Sequence, residues 1–367
     1  MLAGRELSDR RMQLDSLDGL RGVAVLIVVV SHLSNSGMYL LPLVNLRGYG
    51  KSGVYLFFLL SSFLLTYPFL LKGREALDRM YLANYALRRF LRIYPLYLCY
   101  LLLALSTTFL FARWSPSLGG IPFPLSPAEF IEHVVLRQGK GVTWSILVEF
   151  RYYFFLPLLA LLLSVVLKNK LIPALLLTVA LISIAQFLWP QSGIVSNDLR
   201  LGPYLPIFFM GALLAVLYLR WQQTELHQQQ ALGLWVQIAG AVAMLLLVLS
   251  IPSVASFVSS TTVAPGYFHR QIILYGLLWS TVVFAAIATP GPLRIVFESP
   301  VLRYVGFISF SVYLLHVVVM DLFTRFVPQT AAQGWLILLA TIAVSHLSWR
   351  LIEKPTSKIR LHKPAAL

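Results

Sequence analysis

Arg21 and His32 lie in one apolar run, Leu17-Asp18-Gly19-Leu20-Arg21-Gly22 followed by Val23 to Ser31. They are eleven residues apart, which on a helix is about three turns and puts both side chains on nearly one face, ~16 Å apart along the axis. A charge at the centre of a membrane span costs on the order of 2.5–3.5 kcal/mol on insertion scales, so such residues are informative. A neutral imidazole can take a proton from an alcohol, which is the task of a general base. Each residue also has a plainer reading, Arg21 as a snorkelling anchor and His32 as a polar side chain satisfied by a neighbouring helix. Their shared face favours chemistry.

Two further groups stand out. Leu87-Arg88-Arg89-Phe90-Leu91-Arg92-Ile93-Tyr94-Pro95 opens the third apolar run. Its composition alone favours a positive-inside anchor, yet Arg89 and Arg92 share a helix face and could clamp phosphate oxygens in the bidentate manner of arginine. Trp144-Ser145-Ile146-Leu147-Val148-Glu149 opens the fourth, with Arg151, Tyr152 and Tyr153 just beyond. Trp and Tyr there suit an interfacial belt, but Glu149 would lie about 7 Å inside the helix. On the topology given below it reaches the depth of His32, where a carboxylate would orient an imidazole or polarise an acceptor hydroxyl. The ninth run holds Ser309, Ser311, Tyr313 and His316, and for His316 a packing role through hydrogen bonds stands level with a substrate role. His133, His227, His269 and His362 fall in loops or tails and carry no site signal, and His346 has the plain reading. The single cysteine, Cys99, lies in an apolar run, reads as a small packed side chain, and leaves no cysteine-based metal site or internal disulfide framework; no metal site is expected.

The elements that hold these residues are spanning helices. A chain of 367 residues that is 58% hydrophobic and 12% charged has more apolar surface than a soluble core can absorb. Apolar runs of about 20 residues, the length that crosses ~30 Å of hydrocarbon, fall near residues 16–36, 52–71, 89–112, 144–167, 171–189, 202–220, 231–251, 270–289, 304–326 and 332–352. The expected fold is an all-α integral membrane bundle of about ten transmembrane helices. Sorted by that topology, about 20 Lys and Arg fall on one side and about 9 on the other, which makes both termini cytoplasmic. Topology thus explains much of the net charge of +15, and no nucleic acid partner is implied. With no cleavable signal peptide, repeat or soluble appendage in view, residues 1–367 read as a single transmembrane domain, with cytoplasmic tails at 1–15 and 354–367. Oligomeric state is unreadable.

The ordered set of motifs resembles the acyltransferase-3 family. The set comprises Leu17-Asp18-Gly19-Leu20-Arg21-Gly22 with its Arg-x10-His spacing, Gly53-Val54-Tyr55-Leu56-Phe57-Phe58-Leu59-Leu60-Ser61, Arg89-x-x-Arg92-Ile93-Tyr94-Pro95, Trp144-Ser145-x-x-x-Glu149 and Ser311-x-Tyr313-Leu314-x-His316. It covers nearly the whole chain. Three positions depart from the family pattern: Ser62 stands for a usual glycine, Val318 for a common proline and Phe310 for a frequent tyrosine. None of the three removes a proposed catalytic group.

The resemblance implies a multi-pass enzyme of the bacterial inner membrane. Its donor would be cytoplasmic acyl-CoA, acetyl-CoA foremost, acting as a substrate, with no permanently bound cofactor. Its acceptor would be a hydroxyl of a glycan or similar molecule presented from the other side. Carried over, His32 is the catalytic base and Glu149 assists at the reacting centre. Arg21, Arg89 and Arg92 serve the donor, and Trp144, Ser145, Tyr153, Tyr313 and His316 line the substrate site. Direct transfer to the acceptor is expected, with an acyl relay through His32 or Ser145 left open. The alternative from another class is a transporter or flippase for a lipid-linked saccharide, with the same charges lining a path.

Overall fold

The computed structural model describes residues 15–40, 45–114, 119–225, 229–328, 330 and 332–361. Among them the regular structure is helical and contains no strand. The long helices are α1 (Asp15–Asn35), α2 (Gly50–Lys72) and α3 (Arg79–Trp114). After the short α4 (Pro127–Val134) come α5 (Thr143–Leu161), α6 (Leu171–Leu188), α7 (Leu205–Gln223) and α8 (Gln230–Leu249). The short α9 (Pro252–Ser259) leads to α10 (Ile272–Ala288), then α11 (Pro292–Phe297), α12 (Pro300–Phe307), α13 (Ser309–Phe326) and α14 (Gln333–Ser348). With the tight turns that extend some of them, nine of these helices have the length and apolarity to cross a membrane. α10 is apolar but has only 17 residues. At ~26 Å it falls short of a ~30 Å hydrocarbon core by an amount that local thinning absorbs.

Each of the ten expected runs is helical, with three differences. α3 begins at Arg79, so the arginines expected at the start of a span lie about two and a half to three and a half turns inside a continuous helix. The run at 304–326 is two helices with a break at Ile308, because Pro300 starts one short helix and the chain turns before Ser309. The stretch from residue 354 is not a free tail as far as Leu361: the Asn84 side chain exchanges hydrogen bonds with the Leu361 backbone, Leu361 N–H to Asn84 Oδ1 at 2.8 Å and Asn84 Nδ2 to Leu361 O at 3.1 Å. Arg5, Arg10 and Arg11, basic residues of the N-terminal tail that count toward the cytoplasmic side, lie outside the described residues.

Small residues set the closest helix crossings. α11 and α12 both lie against α1: an added Cβ at Gly19 would come within 1.6 Å of the Phe297 carbonyl oxygen at the end of α11, one at Gly22 within 2.1 Å of the Leu302 oxygen of α12, and one at Gly306 within 1.7 Å of the Asp18 oxygen. The glycines of the first motif therefore serve backbone contact, as small residues do between membrane helices, and they fix which way Arg21 faces. α2 packs on both α1 and α7. Ser62 Oγ donates to the Phe208 carbonyl at 2.6 Å and accepts from Tyr152 at 2.8 Å. The close approach that glycine would have given at position 62 comes from Gly211 on the facing helix, where a Cβ would lie 2.4 Å from the Leu59 oxygen.

The C-terminal end closes the bundle with a polar knot. Glu353, nearly buried, accepts from Arg92 at 2.8 Å and from Ser311 at 2.5 Å. The Phe310 ring lies 5.9 Å from the Arg92 guanidinium, which gives this departure from the family pattern a cation–π contact. Val318 is buried in the apolar core. Cys99 is exposed on the outside of α3, because that helix turns much of its surface away from the bundle; it is not the packed side chain expected.

Candidate active site

Three cavities follow one another through the bundle. The first, about 470 Å³, is lined by Lys72, Tyr81, Arg88, Arg89 and Arg360. It shares Leu64, Leu65 and Arg89 with a narrow second cavity of about 90 Å³, which is lined by Arg21, Arg92, Ser61, Ser145, Glu149 and Tyr153. That waist shares Val54 and Tyr313 with a third cavity of about 690 Å³, which holds His32, Lys51, Trp144 and His269. Two wide chambers, one basic and one holding the imidazole, thus meet at a constriction. α2 contributes to all three, and its apolar run supplies the wall between their polar groups.

His32 takes its orientation from a residue 284 positions away. His316, fully buried on α13, has its Nδ1 at 3.1 Å from the Val312 carbonyl oxygen and its Nε2 at 3.0 Å from His32 Nδ1. A carbonyl only accepts, so His316 Nδ1 carries the proton and its Nε2 is a bare lone pair when the ring is neutral. His32 Nδ1 must then donate. The proton is thereby kept off His32 Nε2, which is left as an acceptor, the form a general base needs. His316, expected to line the substrate site, is not among the residues lining the chamber and instead holds His32 Nδ1 from behind.

Glu149 is placed differently from expectation. It accepts hydrogen bonds from Ser61 and from Tyr153, the latter at 2.7 Å, and it faces the waist with Arg21, Arg89 and Arg92. The partner of His32 is His316, not Glu149. Estimating axial depth from separate straight helices made the two residues level, but on α5 the Glu149 side chain turns toward the basic side. Arg92 is committed to Glu353, whereas Arg21 and Arg89 donate no hydrogen bond among the described residues. Ser145 and Tyr313 close the waist: Tyr313 donates to the Val142 carbonyl at 2.9 Å and its oxygen lies 2.6 Å from Ser145 Oγ. No base touches Ser145 among the described residues, so it is poorly set for a nucleophile.

The wide chamber is walled by polypeptide between the long helices, and this part was invisible as site in the sequence. Pro122, Phe123 and Gly141 come from one connection and Ser196 and Asn197 from another. The first connection is knotted by His133, which is fully buried rather than a loose loop residue. Its Nδ1 donates to the Glu129 carbonyl at 2.7 Å and its Nε2 accepts from Lys140 N–H at 3.2 Å. Burial keeps this imidazole below its usual pKa. Beside it, the Lys140 ammonium and the Ser126 hydrogen bonds bring the Glu129 carboxyl down to about 2, and Ser126 and Glu129 form a reciprocal capping box at the start of α4. His269, given no role from sequence, lines the same chamber.

A known family covers this arrangement. The model of the acyltransferase-3 family, described as an acyltransferase domain, matches residues 14–350. The chain belongs to this family. Among relatives, the peptidoglycan O-acetyltransferase OatA of Listeria monocytogenes is 26% identical over 95% of the chain, which spans only 56% of that protein. Nodulation protein 10 of Rhizobium leguminosarum bv. viciae is 26% identical over 94% of both chains, and acyltransferase MdmB of Streptomyces mycarofaciens is 29% identical over 41% of this chain and 40% of its own. No solved structure matches significantly. As a member of the acyltransferase-3 family the protein is an acyltransferase with multiple apolar helices able to span a membrane, and the transporter expectation falls away. The residues that line the basic chamber, the waist and the imidazole chamber all lie within the matched segment except Arg360.

Proposed function

We propose that the protein transfers an acetyl group from acetyl-CoA to a hydroxyl of a glycan or similar acceptor, by direct attack with His32 as general base. The observation that carries this reading is the His316–His32 hydrogen bond, which leaves His32 Nε2 free to accept a proton in the chamber opposite the basic one. The adenosine and phosphate end of the donor sits in the basic chamber against Arg88, Arg89, Lys72 and Arg360, which is suited to phosphate by charge and by arginine's planar donors. The pantetheine arm threads the waist, where Glu149, Ser61 and Tyr153 meet its amides, and delivers the thioester below His32. An acceptor hydroxyl gives its proton to His32 Nε2 as its oxygen bonds to the thioester carbonyl carbon. The tetrahedral adduct then collapses, the carbon–sulfur bond breaks, and the imidazolium returns the proton to the departing thiolate, so acetyl ester and free CoA are formed. The asymmetry of basic residues supports a cytoplasmic basic chamber, cytoplasmic termini and a bacterial inner-membrane location. The names of the Listeria and Streptomyces relatives support the reaction class.

Two measurements test this reading. In the double variant Arg88→Ala/Arg89→Ala, acetyl-CoA affinity by calorimetry is expected to fall about tenfold or more, and to lose part of its dependence on salt. Unchanged affinity would move the donor elsewhere. His316→Phe removes the partner that fixes the His32 tautomer while keeping a ring in the space. Transfer is expected to fall about tenfold to a hundredfold, with an altered pH–rate profile and unaltered acetyl-CoA affinity; a purely structural role would leave the profile in place.

A further inference from the structure

Lys51, in the first turn of α2, lines the His32 chamber, and its Nζ is buried with no hydrogen-bond partner among the described residues. The ammonium lies 5.3 Å from the centroid of the Trp144 ring. Asp198, nearby, is occupied: Arg200 binds it through Nε at 2.9 Å and Nη2 at 2.6 Å. A buried cation with no hydrogen-bond partner, whose neighbouring carboxylate is already bound to Arg200, costs free energy that a single aromatic face only partly offsets. In a span, such a charge marks a ligand contact. The donor's phosphates lie beyond the waist in the reading above, so this cation is left for the other substrate.

We infer that Lys51 binds an anionic group on the acceptor, a carboxylate or phosphate, so that the acceptor is an acidic glycan whose sugar face rests near Trp144 while its hydroxyl meets His32. This rests on the proposed acetyl transfer and adds the acceptor's class to it. The chamber suits such a molecule: it is wide, about 690 Å³, and no carboxylate of its own is free to repel an anion.

The test uses the full chain in envelope vesicles that contain the natural acceptor, supplied with acetyl-CoA labelled in the acetyl group. Alkali-labile label is resolved by anion exchange, and acetyl-CoA affinity is measured on the purified protein. Retained, acidic product is expected from wild type. Lys51→Met is expected to lower incorporation roughly tenfold to a hundredfold at limiting acceptor, through a higher KM for acceptor, with Lys51→Arg restoring most of it and donor affinity unchanged in both. Carbodiimide reduction of envelope from cells lacking the protein, before the untreated purified enzyme is added, abolishes labelling if the group is a carboxylate and spares it if it is a phosphate. Label on neutral, unretained product would overturn the inference and leave acetyl transfer standing. So would a Lys51→Met protein with normal acceptor KM, or one whose only defect is a lower kcat, which would make Lys51 a partner of the thioester oxygen. No alkali-labile label from wild type would overturn this inference together with the acetyl-transfer reading.

Discussion

Substitution of His32 by alanine is expected to lower transfer by a hundredfold to ten-thousandfold, the range a positioned general base contributes. The protein should still fold and bind acetyl-CoA with wild-type affinity, because His32 lies in the chamber away from the basic cluster. The assay is incorporation of labelled acetyl at saturating donor, with calorimetry on the same preparation. The shape of the defect is informative as well. Removing the ring leaves His316 Nε2 facing a space that a small imidazole can fill, so added imidazole should recover part of the rate in His32→Ala and none in a His32→Phe protein. A His32→Ala enzyme working near the wild-type rate would remove the proposed base and with it the direct mechanism.

Substitution of Gly19 by valine should have the largest effect on the fold. A Cβ there would meet the Phe297 carbonyl at 1.6 Å, a contact that can be relieved only by moving two backbones apart. Overpacking of this kind costs about 3 kcal/mol or more. The expected result is loss of the monodisperse peak in detergent chromatography and a large fall in Tm. Gly193→Ala, at a site where an added Cβ meets nothing within 4 Å, should stay within about 0.5 kcal/mol of wild type. A stable Gly19→Val protein would show that the end of α11 does not lie against α1 as described.

Which parts of this were legible in the sequence follows from which forces are local. The spans could be read because bilayer thickness dictates the length of each apolar run, and Arg21, Arg89 and Arg92, which stand out because charges inside spans are scarce, line one cavity. The purpose of Gly19 and Gly22 was hidden, since the helices they accommodate begin far along the chain, at Pro292 and Pro300. The pairing of His32 with His316 was hidden for the same reason. Glu149 shows where local reasoning misleads: depth along a helix is readable from residue count, whereas the direction a side chain faces depends on neighbours that the sequence does not name. Arg92 shows a second limit, because Glu353, which holds one arm of its guanidinium, lies 261 residues away. Lys51 and His269 gave no signal, one being a single cation at a helix start and the other a histidine between helices, until the fold brought both to one wall.

The waist has a consequence for the cell that hosts the enzyme. A molecule that served reactants on two sides of a bilayer through one wide bore would also conduct ions and dissipate the proton gradient. Here the passage narrows to about 90 Å³ between chambers several times larger, and its arginines repel cations from the constriction. In the proposed transfer the donor's arm occupies it, and the bore is stoppered by the substrate itself. On that proposal an acyl group crosses while the membrane's electrical insulation stays intact.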